Sequence, residues 1–192
     1  MRRIRSALTA AGVVVLLAGC VAASRSKFSF DFKTGELRRT YCGLSSVKDG
    51  GDKDYSAAKD WDRLKGLAES KKPEYDPDVV AEVSKTLFEK DGELCGRRVQ
   101  KVLCPKCFPS KAAVLSYLHD KTWRFELFNG AVVAFVPSGK TILSTNGQKA
   151  ATPGGAMIVW PRDAETFEYE ASDASPGGTS LLPFYLKDRG AK

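Results

Sequence analysis

The chain has 192 residues, 30 Lys and Arg against 23 Asp and Glu, and a formal net charge of +7. That length suits one domain of ordinary size. Without Arg2, Arg3 and Arg5 the charge falls by three, from +7 to +4, and so mild a charge does not argue for nucleic acid; no apolar run beyond residue 20 is long enough to cross a bilayer.

The chain opens Met1-Arg2-Arg3-Ile4-Arg5, three cations without an acid. Residues 7–18 are then apolar except for Thr9 and Gly12. This run is too short for a hydrocarbon core that needs ~20 apolar residues, and it reads as a secretory signal. At its end, Leu17-Ala18-Gly19-Cys20 resembles the lipobox of bacterial lipoproteins. The resemblance covers residues 1–20. It implies cleavage between Gly19 and Cys20, a diacylglyceryl group on the Cys20 thiol and an acylated amine, because stable anchoring takes at least two chains. In that family an Asp after the cysteine favours the inner membrane, so Val21 implies the outer membrane, facing the periplasm. The expected organisation is a cleaved leader at 1–19, a lipidated tether at 20–27 and a single domain at 28–192. Loss of the leader removes three arginines and lowers the charge accordingly.

Phe28, Phe30 and Phe32 alternate with polar residues, the period of a half-buried strand. Lys33-Thr34-Gly35 is a turn, residues 36–42 form the return strand, and residues 48–54 form a polar loop. The middle reads as helical. Ala57, Trp61, Leu64 and Ala68 mark one face of a helix, which Lys72-Pro73 ends. A second helix begins with Asp76 as N-cap and Pro77 in its first turn. Val79, Val80, Val83, Leu87 and Phe88 form its buried stripe, and Gly92 its C′ residue. A third starts at Ser110 and carries Val114, Leu115 and Leu118. Residues 123–128 and 131–136 flank Asn129-Gly130, a strong hairpin signal. Pro137-Ser138-Gly139 leads into a strand at 140–145, and Asn146-Gly147 turns again. Residues 157–160, 166–170 and 180–186 are further strands. Pro-Gly-Gly recurs at 153–155 and 176–178 as turn chemistry. The pattern predicts an α+β fold: an antiparallel sheet with about three helices packed on one face.

Once Cys20 is acylated, Cys42, Cys95, Cys104 and Cys107 remain, and an even number in an oxidising compartment reads as two disulfides. Three pairings are possible. Chain entropy gives ~4 kcal/mol for closing Cys42 to Cys95 and ~2 kcal/mol for Cys104 to Cys107, which favours that set. Cys104-Pro105-Lys106-Cys107 resembles the Cys-Pro-x-Cys of thioredoxin-type oxidoreductases, where a helix start activates the first thiol. Pro109 falls where that family's helix already runs, which favours a structural bridge. A four-thiolate zinc site lacks its second Cys-x-x-Cys.

His119 is the only histidine, so any Ser–His–Asp or Cys–His mechanism must use it. Its place near the third helix's end reads as a cationic C-terminal cap. Arg38-Arg39 and Arg97-Arg98 with Lys101 are basic clusters suited to headgroups or acidic polymers. Glu168 and Glu170 alternate with Phe167 and Tyr169, the wet side of a strand. Trp123, Trp160 and Tyr185 suit core packing better than stacking on sugars or peptides. The reading that follows is a membrane-anchored, non-enzymatic binding or assembly module. Its partner would be an envelope protein or cell-wall polymer, with no cofactor, metal or nucleic acid. The alternatives are a thiol–disulfide oxidoreductase using Cys104 and Cys107, and an inhibitor or immunity-type lipoprotein.

Overall fold

The computed structural model describes residues 21–48, 55–70, 73–152, 155–174 and 178–190. The expected leader and lipobox with Gly19 and Cys20, residues 49–54 of the expected polar loop, Lys72 of the expected helix break and most of both Pro-Gly-Gly segments lie outside the described residues. Among those described, thirteen strands in three antiparallel sheets outweigh three short α-helices. The fold is therefore β-rich, which corrects the expectation of one sheet with helices laid on a face.

The fold begins at once. β1 (Val21–Ala22) and β2 (Arg25–Asp31) occupy the stretch expected to be a tether, and Val21 is only 5% exposed. Asp31 turns the chain by accepting the Lys33 and Thr34 amides at 2.8 Å. β3 (Glu36–Cys42) then returns along β2 with Phe30 opposite Leu37. β4 (Ser45–Ser46) pairs with β1. α1 (Ala57–Glu69) is capped by the Ser56 hydroxyl, which accepts the Lys59 amide.

The expected second helix is a strand, β5 (Val80–Lys90), and the unassigned stretch after it is its partner, β6 (Glu93–Val102). Asp91 and Gly92 join them with φ of 52° and 74°. This is the left-handed pair that a two-residue hairpin demands, so Gly92 turns a hairpin and does not end a helix. Asp76 caps no helix; its carbonyl accepts the Val79 and Val80 amides in a turn.

A 3-10 turn (Pro105–Cys107) precedes α2 (Lys111–Leu118), whose N-cap Ser110 accepts the Ala113 amide at 3.0 Å. β7 (Arg124–Phe128) and β8 (Ala131–Phe135) form the Asn129-Gly130 hairpin. β9 (Lys140–Thr145) and β10 (Gln148–Thr152) follow, but they do not pair with each other: Asn146-Gly147 carries the chain from one sheet to another. The Asn146 carboxamide oxygen accepts from the Trp160 indole at 2.7 Å and the Glu168 amide at 2.9 Å. A Cβ on Gly147 would lie 2.8 Å from Ile158 and 2.9 Å from the Val159 carbonyl, so only glycine fits this crossing. β11 (Gly155–Trp160), β12 (Thr166–Asp173) and β13 (Thr179–Ser180) complete the strands. The strand expected at 180–186 is instead α3 (Leu182–Gly190). Pro183 lacks the amide that a strand ladder needs but fits a first helical turn, and the Ser180 hydroxyl accepts the Leu182 amide.

The sheets have the orders β5-β6-β3-β2-β12-β9, β10-β11-β8-β7 and β1-β4-β13. One face of the six-stranded sheet carries two cores. The larger joins Phe30, Leu37, Val102 and Phe167 to Ile158 and Trp160 of the four-stranded sheet and to Leu115 and Leu118 of α2. Burying each such side chain contributes about 2 kcal/mol. The smaller core gathers Val21 of β1, Leu44 between β3 and β4, Trp61 and Leu64 of α1, Leu94 of β6 and Tyr185 of α3.

Candidate functional site

Strand alternation brings both cores to one face: Leu37 and Tyr41 of β3, Leu94 and Val102 of β6, Val80 and Leu87 of β5. Between them the same alternation turns in polar residues. Arg39 is 7% exposed. It donates to Glu74, to the Tyr75 hydroxyl and to the Leu118 carbonyl. Arg98 donates to both oxygens of Glu82 and, at 2.5 Å, to Glu74. Gln100, 2% exposed, reaches Glu82 with its amide nitrogen, but its carbonyl oxygen has no partner among the described residues. Burial opposes the charge of Arg39, yet Tyr41, Tyr75 and Glu74 hold its pKa above the ordinary guanidinium value. The belt thus keeps a cation inside the protein because both terminal nitrogens of Arg39 face oxygen.

Two clefts open on either side of this belt and share Tyr41 and Glu74. The first, of about 290 Å3, lies between α1 and the sheet. Leu44, Leu64, Leu67 and Leu87 form its walls; Glu74, Lys85, Arg97 and Arg98 supply its charged groups. Tyr41 lines it, and its hydroxyl has no hydrogen-bond partner among the described residues. Burial pushes that hydroxyl's pKa up to about 12. The second cleft, of about 120 Å3, is bounded by Phe28, Trp123, Tyr169 and His119.

His119 stands at the α2 C-cap, but it is no cation there. Its ring packs 4.1 Å from Phe28 and 4.5 Å from Phe125, and close to Trp123 and Tyr169. The residue keeps some exposure, but the ring itself is enclosed by aromatics. Nδ1 lies 2.8 Å from the Leu115 carbonyl and so carries the hydrogen; Nε2 then accepts from the Tyr169 hydroxyl at 2.9 Å. Burial, helped by Arg39 and opposed by the Leu115 bond, lowers its pKa to about 3. Neutral His119 braces α2 against β12. The unfolded chain titrates near 6.5, so on acidification it takes up a proton that the folded state refuses. Stability is full above about pH 6.5 and falls as pH drops towards about 3. We expect the urea midpoint to fall between pH 7 and pH 4. His119→Gln should flatten that slope by up to ~1.4 kcal/mol per pH unit.

Cys42 is bonded to Cys95 directly across β3 and β6, and Cys104 to Cys107 across the 3-10 turn. Cys95 has no exposure, whereas Cys104 and Cys107 are both exposed. Mild dithiothreitol should therefore open Cys104–Cys107 first, because exchange requires access. Alkylation followed by peptide mass mapping reads the order; simultaneous opening would show that access does not control it.

The basic pairs are split by strand alternation. Arg39 and Arg98 turn into the belt, while Arg38 and Arg97 lie with Lys27, Thr40 and Glu168 in a concavity of about 510 Å3 on the opposite sheet face. Lys101 is exposed and stands directly opposite Glu36 of β3. Among the described residues no group of three or more His, Cys, Asp or Glu is placed to hold a metal ion. Sequence reading missed Tyr41, Glu74 and Glu82. The signal for the belt was present at Arg39, which alternates with Leu37 and Tyr41 on one strand.

Comparison of the chain with protein families, with curated proteins and with solved structures finds no match.

Proposed function

We propose that this chain is a lipid-anchored binding module of the bacterial cell envelope, on the outer membrane and facing the periplasm, whose ligand seat is the cleft between α1 and the six-stranded sheet. The leader and its lipobox support the address. The cleft carries the reading as a binder: it is concave, walled by leucines and provided with few polar groups at one end, the usual make-up of a small-molecule seat. The start of the fold bears on how the module works. β1 begins at Val21, next to the cysteine, so about 4 Å of backbone separates the acylated residue from the first buried one. Such a domain rides against the bilayer without slack and meets partners at the membrane surface.

Intact mass and fatty-acid labelling of the full chain test the anchor. The expected product starts at Cys20 and carries a diacylglyceryl group, and Cys20→Ser abolishes both labelling and cleavage. A product that keeps its leader, or an unmodified Cys20, would end the lipoprotein reading.

One observation favours a second reading, a thiol–disulfide oxidoreductase: the Cys104–Cys107 bond is exposed. The two cysteines flank a three-residue 3-10 turn, and the longer helix α2 starts only at Lys111. Insulin reduction that Cys104→Ser abolishes would establish this reading over the first.

A further inference from the structure

We infer that β7 is the contact edge of a symmetric dimer of this chain, in which the β7 strands of two copies pair antiparallel with Arg124 of each opposite Glu126 of the other. The inference is independent of the leader and of the cleft. The two larger sheets end in four strands, β5, β9, β10 and β7. A free edge invites pairing, and proteins blunt it with bulges and lysines. β5 is bulged between Glu82 and Ser84. The Lys149 ammonium of β10 donates to the Ile142 and Leu143 carbonyls of β9. β10 carries that lysine and no large apolar side chain. β7 has neither device: it pairs with β8 in unbroken register and contains no lysine or proline. Yet its Leu127 is 51% exposed and its Phe128 68%. No strand among the described residues pairs along its outer edge.

The charges of β7 fit a second copy of β7. Arg124 and Glu126 alternate with the core residue Phe125 and so lie on the outward face of the sheet. Both are exposed, 3.2 Å apart, and Arg124 is held over the Phe135 ring. A two-fold axis normal to the sheet keeps the outward side chains of both copies on one face only when the pairing centres on a residue. Centred on Arg124 or Glu126, like charges oppose each other, which is destabilising. Centred on Leu127 or Phe128, Arg124 reaches past the end of the other β7. Centred on Phe125, Arg124 meets Glu126 of the other copy twice over. The same register brings Leu127 beside Trp123 and Phe128 beside Thr122 of the other copy, which covers the two exposed apolar side chains. Charges that deter a foreign strand thus select the chain's own copy.

The test is sedimentation of the full chain in a large excess of nonionic detergent. The wild-type chain is expected to associate reversibly to a dimer. Arg124→Glu and Glu126→Arg each turn two attractive pairs into two repulsive ones, and each should weaken association about tenfold or more. An equal mixture of the two variants should form a heterodimer of nearly wild-type affinity. Mixing cannot restore the Arg124–Glu126 ion pair within either chain, so recovery reports the contact between chains. Unchanged urea midpoints show that both variants fold. Hydrogen exchange of the wild-type chain needs no variant: the β7 amides should slow as concentration rises. A wild-type chain still monomeric at ~1 mM, a dimer whose β7 amides exchange as fast as the monomer's, or a mixture no tighter than either variant alone would overturn the inference. None of these results bears on the anchor or the ligand seat.

Discussion

Arg39→Ala should destabilise the domain by about 3 kcal/mol, the low end for breaking a buried ion pair. The low end applies because Glu74 keeps 38% of its side chain in water. Most of the loss comes from deeper groups. The Leu118 carbonyl loses its charged donor, and the Tyr75 hydroxyl loses one of its two partners. Arg39→Lys keeps the charge but not the fork that spans Glu74, Tyr75 and Leu118, and should fall between wild type and alanine. The urea midpoint at constant m-value measures both variants. A loss below about 0.5 kcal/mol, the range of ordinary surface substitutions, would mean that water already fills the belt.

Removing the bridge between β3 and β6 should have the larger effect. Cys42 and Cys95 are 53 residues apart in sequence, and closing that loop in the unfolded chain gives ~4 kcal/mol. The short Cys104–Cys107 loop, three residues apart, gives ~2 kcal/mol. The comparison is between Cys42→Ala with Cys95→Ala and Cys104→Ala with Cys107→Ala, which avoids leaving an odd thiol. Losing Cys95 also empties space in a site with no solvent exposure, and this adds to the first pair's deficit. Unfolding at a common temperature should rank the pairs in that order. Equal losses would show that the unfolded chain is already restrained around residues 42–95.

Local chemistry was legible. The Asn129-Gly130 hairpin, the return of β3 along β2, the α1 periodicity and the Ser110 start of α2 all depend on neighbours within a few residues. β5 was not legible, and its geometry explains why. Val83 is an extra residue at a bulge between Glu82 and Ser84, and it is 63% exposed. The bulge puts Val80 and Leu87 on the same face although they are seven residues apart, a spacing that also equals two helical turns. A strand with one bulge therefore imitates a helix. The Asp91-Gly92 turn was the sign that could have decided it. At α3, Pro183 was the corresponding sign against a strand.

From its order alone, the chain determined a basic start and a short apolar run ending in Leu17-Ala18-Gly19-Cys20, four further cysteines, and those turns and caps whose chemistry is local. Tertiary structure decided the rest. It parted β9 from β10 into different sheets, made His119 neutral by enclosing its ring, and turned Arg39 and Arg98 inward while Arg38 and Arg97 stayed outside. The clefts and the belt draw on β3, β5, β6 and the link after α1 at once. Side chains so far apart in sequence meet only through strand register, which long-range pairing and core burial set and no local pattern records.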